Sequence, residues 1–482
     1  PLSQDPSFAE IADNAVIDKR GRVAARKGIN VITTNKTVLG TDYLHRIHHF
    51  YDGANNEVIF STGNNKIMTG TTTLVDATPG SYSINANNWK IVNFNDKAYF
   101  FQRGFDPLVY DNANGVRTFS VVNSNSTAAT LKCNEAISSF GRLWIADNAS
   151  EAQTVYWSDL LDGVDFLSGS SGSINVSKAW PDGHDVVVGL AAHNNLLAIF
   201  GEHSILLYSN ADTPAVMRLA DTVSGVGCVD RNSIQSIGTD ILFLSNSGLR
   251  SLGRTIQEKS LPLSDLSINI KTELIDVINA ETLPLASIYS PENSFYLICF
   301  PSQQTVFCFD LKVRLENNAY RVTRWTSVAH KSFARDKDGT LYIGSTDGLG
   351  KYDGYQDNTS SYQFRYFSPG LTFGDPGRIK LVKKIRPTLV GLNDGTVFVK
   401  WAYDFATAFQ NYEINIGDQD PAFFGVSEYG VGKFTGGLLV TRRSVQGNGN
   451  GGVVTIGLES SINGAVLSIQ EINVLALIGK TV

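Results

Sequence analysis

Few residues in this sequence have the types and spacing that chemistry needs. The one histidine cluster is His45-Arg-Ile-His-His49, and on a strand His45 and His49 would share a face. Two imidazoles on one face could ligate a metal, but the nearest acidic residues that follow are Asp52 and Glu57. Solvated strand histidines are therefore the favoured interpretation, and no metal site is predicted.

The densest positive segment of the chain is Arg378-Ile-Lys-Leu-Val-Lys-Lys-Ile-Arg386. If it forms an extended strand without a bulge, alternate side chains give a basic stripe on one face, made by Arg378, Lys380, Lys384 and Arg386. Such a stripe could meet an acidic partner or DNA phosphates, or it could protect an edge strand against aggregation. The candidate partner-binding residues are Arg378, Lys380, Lys383, Lys384 and Arg386.

Other motifs favour structural interpretations. Asp336-Lys-Asp-Gly339 hints at a calcium loop, but Asp347 stands where such a loop needs glutamate, so a tight turn is favoured. No G-x-S-x-G nucleophile motif occurs. Acidic residues such as Asp159 and Asp353 could serve a glycosidase only as a converging pair, which the sequence does not show. No catalytic, cofactor-binding or metal-binding residue is predicted.

The composition limits the classes to which the chain can belong. It has 482 residues, 40 basic and 46 acidic, with 44 glycines and only 18% charged residues. Coiled coils and helical bundles are disfavoured, and many short strands joined by turns are favoured. The net charge of −6 argues against extensive binding of nucleic-acid phosphates. We expect no membrane span, no signal peptide and buried thiols rather than disulfides at Cys133, Cys228, Cys299 and Cys308.

The elements that would position these residues repeat along the chain. Each repeat has an apolar lead-in, a polar turn, a strongly apolar strand, a second turn and another strand. The closing residues are spaced by 42 to 57 positions, and they are Met68, Tyr110, Tyr156, Tyr208, Leu252, Phe309 and Tyr352. A strand-turn-strand unit of roughly 40–50 residues is typical of a β-propeller blade. The sequence predicts an all-β protein with a propeller of about seven blades, six or eight being the alternatives.

The order of segments predicts three parts. Residues 1–30 form an N-terminal segment, residues 31–360 a propeller with one inserted helix near 265–279, and residues 361–482 a second all-β domain resembling a sandwich. The helix is predicted from the apolar stripe made by Leu266, Ile270, Leu274 and Val277, with Ser264 or Asp265 as the N-cap.

The motifs taken in order resemble those of a known family. The segments that carry the resemblance are Asn14–Gly28, Gly141–Ala146, Val155–Asp159, Val164–Phe166, Gly225–Val229, Phe243–Ser245 and Gly248–Leu252. Together they are similar to the tail nozzle proteins of short-tailed bacteriophages, also called tail tubular protein B or tail stabilisation proteins. The resemblance covers most of the chain, although each motif is short.

The resemblance implies a structural virion component and no enzyme. Members form a six-fold ring below the tail adaptor, carry or neighbour fibres or spikes, and let the genome leave through the lumen. We therefore expect a homohexamer in the virion tail, assembled in the host cytoplasm. Its partners would be the adaptor, which residues 1–30 could contact, fibre or spike proteins, and genomic DNA that passes through the lumen without sequence-specific binding. No cofactor is expected. The alternatives are a propeller glycoside hydrolase or depolymerase, and a glycan-binding adhesin using Trp157, Trp180 and Trp325.

Overall fold

The chain forms two compact units. The computed structural model describes residues 8–80, 82–85, 87–258, 265–326, 332–375, 377–391, 395–416 and 440–481. One unit, the sandwich unit, consists of residues 1–30, 323–328 and 352–482, and the other, the propeller unit, consists of residues 31–322 and 329–351. The first thirty residues therefore belong with the carboxyl-terminal part of the chain. The first three strands of the sandwich unit are β1 (Ile11–Asp13), β2 (Ala15–Ile17) and β3 (Val23–Ala25).

The propeller unit is built from small antiparallel sheets that follow one another along the chain. Sheets 1 to 4 have four strands each. They follow β4 (Ile29–Val31). Sheet 1 contains β5 (Arg46–Tyr51), β6 (Glu57–Gly63), β7 (Lys66–Thr69) and β8 (Val75–Asp76), and sheet 2 contains β9 (Lys90–Phe94), β10 (Lys97–Phe101), β11 (Leu108–Asp111) and β12 (Gly115–Thr118). Sheet 3 contains β13 (Cys133–Ser139), β14 (Arg142–Asn148), β15 (Glu151–Trp157) and β16 (Gly172–Asn175), and sheet 4 contains β17 (Val187–His193), β18 (Leu196–Gly201), β19 (Ser204–Ser209) and β20 (Arg218–Ser224).

Three further sheets complete this unit, and β4 lies beside the last strand of sheet 7. Ile32 and Thr33, which follow β4, donate their backbone N–H groups to the Leu349 carbonyl at 2.8 and 3.3 Å. Sheet 5 contains β21 (Gln235–Ser236), β22 (Ile241–Ser245) and β23 (Gly248–Ser251). Sheet 6 contains β24 (Ala286–Ser290), β25 (Phe295–Phe300), β26 (Thr305–Arg314) and β27 (Tyr320–Trp325), and sheet 7 contains β28 (Ser332–Arg335), β29 (Leu341–Ser345) and β30 (Gly348–Tyr352).

The seven sheets are arranged as a β-propeller. The first strand of each sheet contacts the first strand of the next, and β28 contacts β5 to close the circle; at sheet 5 the 3-10 turn Arg231–Ser233 before β21 makes the contact with β17. Six of the seven closing residues predicted from the repeat lie on the third strand of a sheet, and Leu252 follows directly after β23. The predicted all-β propeller fold is therefore confirmed.

Apolar side chains pack between neighbouring sheets, which explains why both faces of each strand are apolar. Trp144 and Trp157 of sheet 3 share one cluster with Val187, Leu206 and Tyr208 of sheet 4. Five further clusters each join two adjacent sheets in the same way. Each large apolar side chain that is fully buried contributes about 1.5–3 kcal/mol, so this packing stabilises the ring of sheets.

Two helices lie in the propeller unit, and one corrects the sequence prediction. Helix α1 (Leu252–Glu258) follows β23 and was not predicted. Helix α2 (Lys271–Ala280) begins later than predicted, after a 3-10 turn at Ile268–Ile270, and its N-cap position is Ile270. Asp265 instead accepts hydrogen bonds from the N–H and hydroxyl of Ser267 at 2.9 and 2.7 Å. The four residues of the predicted apolar stripe do pack in the core between sheets 5 and 6; the proposed cap Ser264 lies outside the described residues.

The sandwich unit contains two sheets around one core. One sheet has the order β1-β31-β37-β33-β34, and the other has β2-β3-β38-β32-β35, with β36 also pairing with β32. Both sheets contribute to a single apolar cluster, which includes Ala25, Leu389, Trp401 and Leu458. The remaining strands are β31 (Tyr362–Phe367), β32 (Arg378–Gly391), β33 (Gly395–Tyr403), β34 (Gln410–Ile416), β35 (Val440–Arg442), β36 (Val445–Gln446), β37 (Val454–Ile462) and β38 (Leu467–Thr481).

A fully buried arginine stabilises the sandwich unit. Arg26 has no exposed surface and donates to both carboxylate oxygens of Asp357, at 2.9 and 2.6 Å. It also donates to the Asn14 side chain at 3.1 Å and to the Lys27 carbonyl at 2.9 Å. Its guanidinium lies 4.2 Å from the ring centroid of Tyr362 and 5.6 Å from that of Trp325. Such close pairing compensates the cost of burying the charge.

Candidate functional site

The first strands of five propeller sheets line a partly open cavity of about 280 Å³ at the hub. Strands β5, β9, β21, β24 and β28 and the 3-10 turn at Arg231–Ser233 line it. The lining contains both polar and apolar side chains, and it comprises Arg46, Ile47, His48, His49, Lys90, Ile91, Arg231, Asn232, Ile234, Gln235, Ser287, Ile288, Phe333, Ala334 and Arg335. A cavity of this size holds many water molecules or a small polar ligand.

The charged side chains that line the hub cavity are all basic. Arg46, Lys90, Arg231 and Arg335 belong to four different sheets or their leading turns, and no carboxylate is among the described lining residues. The nearest acidic partner is Glu135 on β13, which is fully buried beside the cavity rather than lining it. Lys90 Nζ lies 3.1 Å from one oxygen of Glu135, and Arg231 Nη1 lies 4.0 Å from the other. The Glu135 carboxylate is therefore shared by Lys90 and Arg231.

Asparagine side chains hold the two arginines across the hub. Arg46 donates from Nε to the Trp89 carbonyl at 3.1 Å and from Nη2 to the Asn232 side chain. Arg231 donates from Nη2 to the Asn88 carbonyl at 2.5 Å and to the Asn88 side-chain oxygen at 3.1 Å. Arg46 and Asn232 also line a second cavity of about 10 Å³.

Burial opposes ionisation throughout this cluster. It lowers the pKa of Arg46 to about 10, and it lowers the pKa of His48 to about 4 although the side-chain oxygen of Asn93 accepts a hydrogen bond from His48 Nε2 at 2.7 Å. Burial also lowers the pKa of Lys90 and Arg231 and raises that of Glu135, each effect opposed by the attraction between the cations and the carboxylate. At neutral pH His48 is therefore uncharged, while the arginines stay cationic.

The histidine cluster does not converge on one point. His45, just before β5, lies 3.3 Å from Asp42; His49 lies 2.7 Å from Glu57; and only His48 and His49 line the hub cavity. In the described part of the chain no three His, Cys, Asp or Glu side chains are grouped as metal ligands.

The predicted basic stripe on β32 is interrupted, which corrects its geometry. The pairing of β32 with β38 shifts register between Arg378 and Lys380 and again between Val382 and Lys384. Lys380 is consequently fully buried, and its Nζ donates to the Asp375 carbonyl. Arg378, Lys383 and Arg386 are exposed, whereas Lys384 is half-buried. Since β32 pairs with β38 on one side and with β35 and β36 on the other, it is not an edge strand. Partner binding by these residues stays a prediction.

The residues considered for glycan chemistry lie apart from the hub. Asp159 follows β15, and its hydrogen bonds with Ser170 lower its pKa to about 2, which suits a permanently ionised group rather than a general acid. Asp353 belongs to the sandwich unit. The candidate sugar-stacking residues Trp157, Trp180 and Trp325 are all buried, as the simpler core interpretation predicts. All four cysteines are buried and none of them forms a disulfide, also as predicted.

Sequence reasoning missed the basic cluster of the hub. Arg46, Lys90, Glu135 and Arg231 lie in four different repeats, and each is an ordinary charge in its local segment. An alignment of the repeats would have placed each of them on, or just before, the first strand of a sheet. Only closure of the propeller brings these first strands together.

The similarity of this chain to known proteins is distant. No family model matches the chain, and no curated protein matches it. Solved structures that resemble it include the extracellular domain assigned to a hybrid two component system, BT4673, from B. thetaiotaomicron (11% identity, TM-score 0.46, covering 83% of this chain and 57% of that chain). The WD40 β-propeller domain of Doa1 covers 67% of this chain and 96% of its own (10% identity, TM-score 0.40). The Neurospora crassa Pan2 WD40 domain covers 73% and 96% (7% identity, TM-score 0.40).

This chain thus spans little more than half of the BT4673 domain. No helix in the described ranges is both long and apolar enough to cross a bilayer. The arrangement of the sheets identifies the chain as a member of the β-propeller fold class with an additional β-sandwich unit.

Proposed function

We propose that this protein is a structural subunit of a short-tailed bacteriophage tail. Six copies would form a ring-shaped nozzle below the adaptor, which conducts and retains the genome and docks other tail proteins. The sequence resemblance described above motivates the proposal. The observation that supports it best is a pair of exposed surfaces, one on each unit, whose chemistry is complementary.

The first surface, the basic apolar stripe, lies on the outer face of the sandwich unit. Leu475 and Leu477 of β38 are each 54% exposed, although leucines on a β-strand normally face a core. Leu475 pairs with Lys384 and Leu477 with Leu381 on β32, while Arg386 stands opposite Asn473. Paired residues on adjacent strands point to the same face, so cationic side chains flank the exposed leucines.

The second surface, the acidic apolar loop, comprises residues 159–167 of the propeller unit. Leu160, Leu161 and Leu167 are 54%, 61% and 59% exposed. Aspartates at positions 159, 162 and 165 alternate with these leucines. The loop therefore combines apolar contact area with negative charge.

Hydrogen bonds give the acidic apolar loop a fixed shape. Leu161 donates its N–H to the Gly141 carbonyl at 2.9 Å. Asp165 accepts from the N–H groups of Leu167 and Ser168 at 2.8 and 2.9 Å, and the hydrogen bonds from Ser168 lower the pKa of Asp165. A loop that is ordered before binding loses less conformational entropy in an interface.

Two different complementary patches are what a ring requires. A closed ring with one subunit type uses a head-to-tail interface, in which one patch of each copy meets another patch of its neighbour. Leucines on both patches would exclude water at the centre, while lysine and arginine on one side would face aspartate on the other. The stripe of one copy and the loop of the next are therefore our candidates for the repeated interface.

Native mass spectrometry and electron microscopy of the purified chain test the proposal. The expected result is a six-fold ring. Arg386→Glu and Asp162→Lys should each shift the population toward monomers, because each places like charges opposite one another. The double variant should recover rings, because it restores opposite charges. Val216→Asp, at a residue 54% exposed elsewhere on the propeller unit, is the matched control and should leave the rings intact.

Two results would contradict the proposal. One is a monomer at all concentrations, both for the purified chain and in tail particles that contain it. The other is a ring that both charge reversals leave intact, which would refute the proposed pair of surfaces but not the ring. Release of reducing ends from host polysaccharide by the purified chain would instead favour the hydrolase alternative.

A further inference from the structure

We propose that the propeller hub binds a small phosphate-class oxyanion, either inorganic phosphate or the phosphate of a monoester. The proposal is independent of the tail function, since it concerns one unit of one copy. It rests on the charge balance of the cavity, on hydrogen-bond donors that lack acceptors, and on the size of the space.

The charges that face the hub are unbalanced. Arg46, Lys90, Arg231 and Arg335 line the cavity, while His48 is neutral at pH 7. Arg46 and Arg231 are close enough for their charges to repel one another. Arg231 is buried, Arg46 and Lys90 are half-buried, and Arg335 is exposed. Holding the first three close together out of bulk water is unfavourable, and a bound oxyanion would reduce that cost.

Three carboxylates near the cavity already interact with other groups of the protein or are shared between two cations. Asp230 accepts the N–H groups of Asn232 and Leu285 at 2.6 and 2.9 Å. Asp147 pairs with Arg103, and Glu135 serves both Lys90 and Arg231. At the far side of the cavity, Arg335 lies 3.9 Å from Glu292. These acidic groups reduce the positive charge of the hub, and none of them lines the cavity.

Arg231 supplies donors that the described residues leave unused. Its side chain is 3% exposed, and its Nε and Nη1 atoms are buried without a hydrogen-bond acceptor among the described residues. Arg26 in the sandwich unit shows the opposite state, because four hydrogen bonds and two aromatic rings satisfy it. A buried donor without an acceptor is unfavourable, so an oxyanion that accepts hydrogen bonds from Nε and Nη1 of Arg231 would be stabilised here.

The volume limits what the hub can take. About 280 Å³ accommodates a tetrahedral oxyanion with accompanying waters, and the small side groups of a monoester. Arg46 and Asn232 also line the neighbouring cavity of about 10 Å³, which is large enough for about one water molecule. Lys90 and the two arginines provide the point charge and planar donors that phosphate sites use.

Calorimetric and thermal-shift titrations of the full chain at constant ionic strength test this inference. The ligands are inorganic phosphate, glucose 6-phosphate as a monoester, chloride as the reference, and a short single-stranded oligonucleotide. We expect saturable binding of phosphate or the monoester, with a higher Tm, and no comparable effect of chloride. The ligand with the lower Kd tells whether the site takes free or esterified phosphate.

Variants separate a binding role from a structural one. Arg231→Gln and Lys90→Gln should each weaken binding by about tenfold, because each removes one charged contact. Glu135→Gln should tighten binding several-fold, because it removes the nearest negative charge; damage to the fold would weaken it instead. Lys178→Gln, at an exposed residue of sheet 3's trailing loop, is the matched control and should leave Kd unchanged.

Three results would overturn the inference. The first is the absence of phosphate or monoester binding beyond the effect of chloride. The second is an unchanged Kd in both Arg231→Gln and Lys90→Gln, with the folded state verified by circular dichroism. The third is oligonucleotide binding that depends on Arg231 and exceeds that of both small ligands, which would assign the hub to nucleic acid.

Discussion

Arg26 in the sandwich unit and Arg231 in the propeller unit are both buried arginines, but their surroundings differ. Arg26 makes a two-point ion pair with Asp357 and contacts Asn14, a carbonyl and two aromatic rings. Arg231 shares Glu135 with Lys90 at 4.0 Å and leaves two nitrogen atoms without acceptors among the described residues. The difference teaches that burial alone does not identify a functional cation. A cation with a structural role has its hydrogen-bond donors paired within the protein, whereas a cation suited to bind a ligand has donors that remain available.

Removing Arg26 should have the largest effect on stability. Arg26→Met leaves the partly buried Asp357 without its two-point partner, so we expect the free energy of unfolding to fall by about 3–5 kcal/mol. Chemical denaturation monitored by fluorescence measures it. The neighbouring Lys27→Met, which removes an exposed pair with Asp353 at 3.4 Å, is the control and should cost less than about 1 kcal/mol. Equal losses in the two variants would remove the basis of the comparison.

The pH dependence of stability should show the penalty for adding charge to the hub. His48 has a pKa of about 4 in the folded chain against 6.5 when unfolded. The unfolded chain therefore takes up this proton first, so stability is full above pH 6.5 and falls as the pH drops toward 4. His48→Gln should reduce that loss by on the order of 2 kcal/mol, less than the whole shift because the cavity admits solvent.

Denaturation at pH 7 and pH 4 measures this difference. His184→Gln, at an exposed histidine, is the control and should lose stability as the unchanged chain does. If His48→Gln and the unchanged chain lose the same amount between the two pH values, His48 is not held neutral by the hub.

Removing Arg231 should cost much less than removing Arg26. In phosphate-free buffer, Arg231→Gln loses the hydrogen bonds to Asn88 but relieves repulsion with Arg46, so we expect a loss of about 1 kcal/mol. Adding phosphate should widen the gap to the unchanged chain, because only the complete site gains stability by binding. A loss in phosphate-free buffer as large as that of Arg26→Met would show that Arg231 is a structural cation after all.

Reversing an exposed charge should have the smallest effect. Lys383→Glu, at the exposed side of the β32 bulge, should change the free energy of unfolding by no more than about 0.5 kcal/mol. Lys380→Met, at the buried side, is the contrast and should cost more, because the Asp375 carbonyl loses its donor. If Lys383→Glu is the more damaging of the two, the structure has assigned the wrong faces to this strand.

The sequence contained enough information for the propeller but not for its hub. Apolar third strands recur at a regular spacing, so residues such as Tyr110 and Tyr208 located the sheets directly. The start of helix α2 was misplaced because Asp265 caps a local turn, three residues before the 3-10 turn that leads into the helix. The basic strand was misread because simple alternation contains no information about the register shift at Val382. The hub charges depend on contacts between distant repeats, which no local pattern encodes.

The sandwich unit combines segments that are far apart in the sequence, which has a consequence for biosynthesis. The ribosome makes β1 to β3 long before β31 and β38, with which they pair, and the hydrogen bond from Asn14 to the Gln363 carbonyl joins residues 349 positions apart. While the residues in between are made, β1 to β3 have unpaired edges that are prone to aggregation. This unit can assemble only after its later strands have been made, so a ribosome-stalled fragment ending before residue 352 would lack it.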